Sequence, residues 1–392
     1  MWTVDDLDPV RCWAESGVAT LTGRAGGPPL ISPGRAAALA REYSAWIADV
    51  TGGAVDLDGA CVLAERAAFT GRGRNGATSV GGACRLLPTA DGWAAVSCAR
   101  PDDPVLLGAL VEADLGGEPW PGVAGWLRQH TGADLAERAE LLGVAAGPVA
   151  VDAPVPESPR PLAPRPVAGL LVVDFSALWA GPLCAHLLGL AGARVVKVET
   201  PSRPDGARRG NREFYRLLHG GHESVVLDPS DPEQRRALSV LVDAADIVIE
   251  ASRPRALARF GLDAARFVAG GGTWISITAH GRDDDRIGFG DDIAAAAGLV
   301  ARDGEGPVFV GDAIADPLTG LAAAALAMSA PADGGMLWDI SMSALVASTL
   351  DTTETVAAES GLAEPRPRTP RGEAAESGRD TAAVLAELGV GI

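Results

Sequence analysis

Basic residues are scarce in this sequence, and long apolar runs are absent. Of the 392 residues, 33 are Lys or Arg and 51 are Asp or Glu, which gives a formal net charge of −18. A protein that binds nucleic acid needs a basic face, so this balance argues against a nucleic-acid partner. No stretch of about 18 residues is apolar and uncharged, so we expect no membrane-spanning helix and no membrane partner. The first ten residues hold three Asp and no basic residue, which is not the pattern of a secretory signal.

Cysteine is also too sparse to build a scaffold. The chain has an odd number of cysteines, and no two of them form a C-x-x-C pair: Cys12, Cys61, Cys84, Cys98 and Cys184. Neither a disulfide framework nor a zinc site is expected from this spacing. We therefore expect reduced thiols, no bound metal and a cytoplasmic location.

The positive charge that the chain does have is concentrated in one place. Within fourteen residues of an acidic chain there are five arginines: Arg203, Arg208, Arg209, Arg212 and Arg216. Guanidinium groups match phosphate oxygens geometrically, and a local basic cluster can bind an anion whatever the net charge. A solvated charged loop is the alternative interpretation.

A proline-rich stretch divides the chain into two parts. Residues 146–166 read AGPVAVDAPVPESPRPLAPRP, which predicts an extended linker between a segment at 1–145 and a segment at 167–392. In the second segment, short apolar runs typical of buried strands occur at 170–174, 194–199, 224–228, 247–250 and 274–278. Helical patterns at 183–191 and 232–244 lie between them. This alternation predicts an α/β fold with a parallel sheet and helices on both faces.

The first segment is less regular. Residues 33–50 and 131–142 have helical patterns, and residues 92–98 alternate like a strand. Residues 71–82 contain five glycines, which is typical of a flexible loop or of backbone that approaches a ligand closely.

Residues 170–201, LLVVDFSALWAGPLCAHLLGLAGARVVKVETP, resemble the opening of the family III CoA-transferases, the CaiB/BaiF family. That family has a strand ending in Asp, an AGP turn, a helix, and a KVE strand followed by Pro. Further similar blocks follow in the same order as far as residue 345, among them SVVLD, ADIVIE, DPLTG and WDISM. The TADGW block at 89–93 and the glycine loop before it resemble later family blocks, so the segment order is rearranged or partly duplicated.

The resemblance implies a fold, an activity and an assembly. The fold is a Rossmann-like parallel sheet in a large domain, with a smaller α+β domain. The activity is that of an acyl-CoA:carboxylate CoA-transferase, acting through an aspartyl mixed anhydride and an aspartyl-CoA thioester. The substrates are a coenzyme A thioester and a carboxylic acid, with no cofactor bound permanently. The assembly is a homodimer, in this family an interlocked one.

The resemblance also implies site residues. The nucleophile is Asp291 or Asp292 in the block FGDDI, and two alignments of that block leave the choice open. The alternative is that this acidic pair only caps a helix beginning near residue 293. In doubly wound sheets ligands lie beyond the carboxyl ends of strands. The implied CoA contacts are Ala180, Gly181, Pro182, Glu199, Pro201, Arg208, Arg209, Arg259, Gly81 and Gly82.

Other functions are less favoured by the same residues. An α-methylacyl-CoA racemase of this family needs a His beside the Asp for proton transfer, and here the nearest in sequence is His280. A CoA-binding protein without turnover remains the second alternative, because the segment order is rearranged. An NAD-dependent enzyme is disfavoured, since no GxGxxG follows the strand at 170–174.

Overall fold

A six-stranded parallel sheet lies at the centre of the computed structural model, which describes residues 7–151, 154–252, 254–330, 334–358 and 360–390. The helices in these ranges are α1 Pro9–Ser16, α2 Val18–Leu21, α3 Ala36–Val50, α4 Gly59–Val62, α5 Glu65–Thr70, α6 Asp103–Val111, α7 Trp120–Leu127, α8 Gly132–Leu142, α9 Ala180–Leu190, α10 Arg212–His219, α11 Pro232–Asp243, α12 Pro254–Ala258, α13 Ala264–Ala269, α14 Gly290–Ala296, α15 Ala315–Ala327, α16 Met342–Ala347 and α17 Thr381–Glu387. The strands are β1 Leu30–Ile31, β2 Cys84–Pro88, β3 Trp93–Ser97, β4 Ala146–Pro148, β5 Ala163–Pro164, β6 Leu171–Asp174, β7 Arg194–Glu199, β8 Glu223–Val226, β9 Ile247–Glu250, β10 Thr273–Thr278, β11 Val300–Asp303, β12 Gly306–Phe309, β13 Ser329–Ala330, β14 Met336–Ser341 and β15 Val356–Ala357.

The central sheet has the strand order β8-β7-β6-β9-β10-β14, and all neighbouring strands are parallel. The chain first builds outward from β6 on one side and then outward from β9 on the other. The direction of winding therefore reverses between β6 and β9. In sheets of this kind, ligands bind beyond the carboxyl ends of the strands near this reversal. Strands β9 and β10 are buried along their whole length, as expected for a sheet covered on both faces.

A smaller α+β unit lies beside this sheet. Strands β2, β3 and β4 pair antiparallel, and helices α6 to α8 pack on them through a separate apolar cluster that includes Val96, Leu107 and Leu135. Strand β3 also contacts α14, which follows the central strand β10 in the chain. The small unit therefore borders the beginning of α14.

The first eighty residues pack into the same core as the central sheet. One apolar cluster contains Trp13 of α1 and Leu39 of α3 together with Val172 of β6, Leu183 of α9 and Leu321 of α15. Helix α15 is rich in Ala and contacts both α3 and α9. Small side chains let these helices approach closely, so the two parts of the chain share one buried core.

The α/β fold expected from the sequence is confirmed. All five apolar runs form parallel strands of the central sheet, with ends shifted by one or two residues, and the predicted helix at 232–244 is α11, capped by Asp231. The predicted helix at 33–50 begins only at Ala36. Both ends of the proline-rich stretch at 146–166 are tied into sheets, because β4 pairs with β3 and β5 pairs with β13.

Gly320 tests the close packing of α15 on α9. A Cβ added at Gly320 would lie 2.7 Å from the Ala180 carbonyl oxygen and 2.8 Å from Leu183 Cβ. Gly320→Ala should therefore lower the free energy of unfolding by about 1–3 kcal/mol. Gly125 in α7 is the matched control, since an added Cβ meets no atom within 4 Å. Gly125→Ala should raise stability by up to about 1 kcal/mol through helix propensity alone. Urea denaturation measures both, and equal effects would contradict the close helix approach.

Candidate active site

A cavity of about 450 Å³ opens at the beginning of α14. Its wall comes from three parts of the chain, within residues 66–101, 178–214 and 289–316. The volume lies in the range of small-molecule sites, roughly 300–1,000 Å³. We call it the first cavity. Its charged lining residues are Arg66, Arg72, Arg100, Arg209, Asp291 and Asp316.

Asp291 presents a half-buried carboxylate to the first cavity. It lies in the first turn of α14, and its Oδ1 accepts a hydrogen bond of 2.8 Å from the backbone N–H of Ala313. Burial and, to a smaller extent, the neighbouring Asp312 raise the pKa of Asp291 to about 6, against the effect of Arg66. The carboxylate is therefore mostly ionised at neutral pH, yet close to its titration range.

Asp292 faces the other way. It is buried, its Oδ1 accepts a hydrogen bond of 2.6 Å from the Ser97 hydroxyl, and its carboxylate accepts another from the Phe289 N–H at 3.1 Å. Successive residues of a helix point about 100° apart, and of the two acids only Asp291 lines the first cavity. Asp292 closes the N-terminus of α14 and binds it to β3, which is the capping role considered as the alternative for the doublet. Burial raises the pKa of Asp292 to about 7.

Two further acids and an arginine surround Asp291. Arg66 binds the buried Asp312 through two hydrogen bonds, the one from Nε being 2.9 Å long, and its guanidinium lies 4.9 Å from the centre of the Trp179 ring. Asp316 lines the cavity, and burial raises its pKa to about 7, against the effect of Arg66. Gly290 lets Asp316 approach the helix start, because a Cβ there would lie 2.2 Å from Asp316 Oδ2.

These neighbours were not predicted as site residues. Asp316 belongs to the DPLTG block, which is one of the blocks that resemble the family, so the sequence offered a reason to consider it as a site residue. No local pattern marks Arg66 or Asp312, which are 246 residues apart in sequence and meet only in the folded chain.

A second cavity of about 370 Å³ lies beyond the carboxyl ends of β7, β8 and β9. Its wall includes Phe175 after β6, Glu199 at the end of β7, and the arginines Arg203 and Arg259. Both arginines are exposed, and neither has a carboxylate partner within the described ranges. The second cavity thus has free positive charge at the edge of the sheet where ligands bind in such folds.

The two cavities lie on either side of the same two loops. Loop 175–179 contributes Phe175 to the second cavity and Leu178 and Trp179 to the first. Loop 199–210 contributes Glu199 and Arg203 to the second, and residues 206, 207, 209 and 210 to the first. The two cavities are therefore neighbours along both loops.

A buried ion pair fixes both loops. Lys197 Nζ lies 2.9 Å from Asp205 Oδ2. The other oxygen of Asp205 accepts the N–H of Leu178 at 3.0 Å and the N–H of Ala207 at 2.9 Å. Leu178 has φ +69°, an unusual conformation for a residue with a side chain, and this hydrogen bond holds it there.

Four of the predicted CoA contacts line one or the other of the two cavities. Arg259 and Glu199 line the second cavity, whereas Arg209 and Gly81 line the first. Glu199 also binds Arg208, whose Nε lies 3.0 Å from each carboxylate oxygen.

The remaining predicted contacts lie outside the lining of both cavities. Arg208 is occupied by Glu199 and by the Ala375 carbonyl at 3.1 Å. Ala180, Gly181 and Pro182 are buried at the start of α9, where a Cβ on Gly181 would lie 2.1 Å from Ser176 Cβ. Pro201 and Gly82 are exposed near the second and first cavities, respectively.

Residues 167–379 match the CoA-transferase family III profile, which is just over half of the chain. The chain belongs to this family. Curated relatives of the family III chain include the succinyl-CoA–D-citramalate CoA-transferase of Chloroflexus aurantiacus, 32% identical over 168 residues, which are 39% of this chain and 42% of the relative. The succinate–glutarate CoA-transferase of Agrobacterium fabrum is 30% identical over 175 residues, 39% of this chain and 44% of the relative. The matches therefore span less than half the length of these relatives.

Among solved structures, a CAIB/BAIF family protein from Brucella suis is similar to this family III chain, with 28% identity and a TM-score of 0.43. The match covers 47% of this chain and 55% of that protein. In the part of the family III chain that the structure describes, no helix has both the length and the apolar character needed to cross a bilayer.

Asp292 should make the stability of the protein depend on pH. Its pKa of about 7 in the folded chain lies above the ordinary value of a free Asp, so the folded state holds the proton more tightly. Between about pH 4 and pH 7 the wild type should lose stability as pH rises, relative to Asp292→Asn, which cannot ionise. Urea denaturation at pH 5 and pH 8 measures this difference. A difference between the two proteins that is the same at both pH values would contradict the burial of this carboxyl.

Proposed function

We propose that this chain transfers coenzyme A between carboxylic acids, with Asp291 as the nucleophile. The proposal rests on the different surroundings of the two adjacent acids, Asp291 and Asp292. Asp291 lines the first cavity, whereas Asp292 is bound to Ser97 and to the start of α14. Family membership and the CoA-transferase names of the relatives support the reaction class.

The reaction proceeds by exchange of acyl bonds, with no proton transfer required. An Asp291 oxygen attacks the thioester carbonyl, the C–S bond breaks, and CoA leaves as a thiolate while a mixed anhydride forms. The thiolate then attacks the side-chain carbonyl of Asp291, which releases the first acid as a carboxylate and leaves an aspartyl-CoA thioester. A second carboxylate reverses both steps and takes the CoA. A side chain that is ionised at neutral pH suits this chemistry without a general base.

Backbone donors of the glycine loop support the charge that develops on the carbonyl oxygen. Gly81 of this loop lines the cavity. Glycine brings backbone N–H groups close to a substrate, and donors placed in this way stabilise an oxyanion.

We infer that CoA occupies both cavities, because they share loops 175–179 and 199–210. Arg203 and Arg259 in the second cavity suit its phosphates, because guanidinium groups bind phosphate oxygens in pairs. The pantetheine arm then crosses loops 175–179 and 199–210 to bring the thioester to Asp291. No separate cofactor is needed in this scheme.

The racemase alternative is less well supported. His280 hydrogen-bonds the Ser343 hydroxyl at 3.1 Å, and burial lowers its pKa to about 4. Within the described ranges, no histidine lines the first cavity. We therefore favour CoA transfer over racemisation.

We also infer a homodimer from the family resemblance, and a cytoplasmic location from the cysteine pattern.

Trapping of the covalent intermediate tests the proposal. With an acyl-CoA donor and hydroxylamine, the wild type should give a hydroxamate on Asp291, visible by mass spectrometry. Asp291→Asn should lose the adduct and lower CoA exchange by about a thousandfold or more, because the nucleophile is gone. Asp292→Asn is the matched control and should still be modified at Asp291. Full exchange activity in both variants would refute the assignment, and an unmodified wild type would favour CoA binding without turnover.

The pH dependence of adduct formation gives a second test. With a pKa of about 6, Asp291 is a carboxylate above that pH and a neutral acid below it. The single-turnover rate of adduct formation should fall about tenfold per pH unit below pH 6 and level off above pH 7. Asp292→Asn should keep this limb, since Asp292 does not line the cavity. A rate that stays constant down to pH 5 would exclude Asp291 as the titrating nucleophile.

A further inference from the structure

Four arginines line the first cavity, and their partners divide them into two pairs. Arg66 is neutralised by Asp312, and Arg100 donates to Asp103 through Nε at 2.8 Å. Arg72 and Arg209 have no carboxylate partner in the described ranges, and both are exposed. A chain with a net charge of −18 thus keeps two free cations in the wall of the cavity that holds Asp291.

Arg72 is oriented by the glycine loop. Its Nη1 donates to the Gly81 carbonyl at 2.7 Å, and a Cβ added at Gly81 would lie 3.9 Å from the same nitrogen. A guanidinium has five N–H donors, so this bond leaves most of them available to a ligand. Arg72 therefore has a defined position in the wall without being neutralised.

Arg209 is positioned by the loop that Asp205 and Lys197 hold in place. It is the last residue of the short 3₁₀ helix Gly206–Arg209, which Asp205 caps through the Ala207 N–H. The buried Lys197 in turn holds Asp205. The backbone that presents Arg209 is thus fixed, while its side chain has no protein partner within the described ranges.

We propose that Arg72 and Arg209 bind a second carboxylate of the acid that exchanges CoA at Asp291, so that the acids are dicarboxylates. This inference rests on the function proposed above. An incoming carboxylate must approach Asp291 beside Asp316, which lines the same cavity, and a like charge there repels it. Two free guanidinium groups offset that repulsion and bind a distal carboxylate in a geometry that suits planar pairs.

The phosphates of CoA are the other source of anionic groups. The second cavity already supplies Arg203 and Arg259 at the strand ends, without carboxylate partners in the described part of the chain. Cations in the first cavity therefore remain for the acid. In the reaction, one carboxylate of the acid attacks the Asp291–CoA thioester, and the thiolate leaves as a mixed anhydride forms. The thiolate then attacks the acid's carbonyl in that anhydride and releases the Asp291 carboxylate. The distal carboxylate changes no bond.

Matched acids of equal length test the inference. CoA acceptance by succinate and by butyrate differs only at the terminal group, so the ratio of their kcat/KM values measures the distal carboxylate. The wild type should prefer succinate, and Arg72→Gln and Arg209→Gln should each lower the ratio about tenfold, mainly by raising the KM for succinate. Arg302→Gln is the control, because Arg302 is exposed on β11 outside both cavities. This control should keep the wild-type ratio.

Two results would overturn the inference. In the first, the ratio stays unchanged while the KM for the acyl-CoA rises in both variants, which assigns the arginines to CoA phosphates. In the second, the wild type shows no preference for succinate. Should no acid accept CoA at all, the proposed function fails, and calorimetric titration of the CoA-free protein then decides the point. Tighter binding of succinate than of butyrate, lost in the two variants, supports the inference, whereas equal binding refutes it.

Discussion

The ion pair between Lys197 and Asp205 is the contact on which both cavities depend. Lys197 lies in β7, wholly inside the sheet domain, and also donates to the Ser176 carbonyl at 2.8 Å. Burial acts to raise the pKa of Asp205, but Lys197 and the backbone donors together hold that pKa below its ordinary value. Removing one partner of such a pair typically costs about 3–5 kcal/mol, because the other charge is left buried and alone. Here the loss would also release Leu178 and the 3₁₀ helix that form the wall of the first cavity.

The site combines parts of the chain that are far apart in sequence. Arg66, Arg72 and Gly81 come from the first segment, whereas Asp291 and Asp316 come from the second. Their meeting follows from the shared core of α1, α3, α9 and α15 and from the contact of β3 with α14. Both segments of this one chain therefore contribute to the described wall of the first cavity.

Local signals in the sequence were enough for the sheet but not for the site. The apolar runs of β6 to β10 and the Asp231 cap of α11 depend on neighbouring residues only, so they were predictable. The roles of Asp291 and Asp292 depend on the phase of α14 relative to Ser97, which lies 195 residues away from Asp292. An alignment of the FGDDI block alone could not predict the contact between Asp292 and Ser97.

Two residue types that were expected to contact a ligand contact the protein itself. Glycine in the turn 180–182 indicates a close approach, and the approach found is that of Gly181 to Ser176, not to a cavity. Arginine near the end of β7 indicates an anion, and the anion that Arg208 meets is Glu199 of the same chain. In both cases the chemistry was anticipated and the partner was not, because the partner is set by tertiary packing.

Lys197 is the only lysine in the sequence, and it is buried. Thioesters react with amines as well as with carboxylates, and exposed lysine side chains are the usual sites of such uncatalysed acylation. The surface of this protein carries its positive side-chain charge on guanidinium groups, which are poor nucleophiles because they stay protonated. A chain built in this way can hold activated acyl groups without acquiring them on its own lysine side chains.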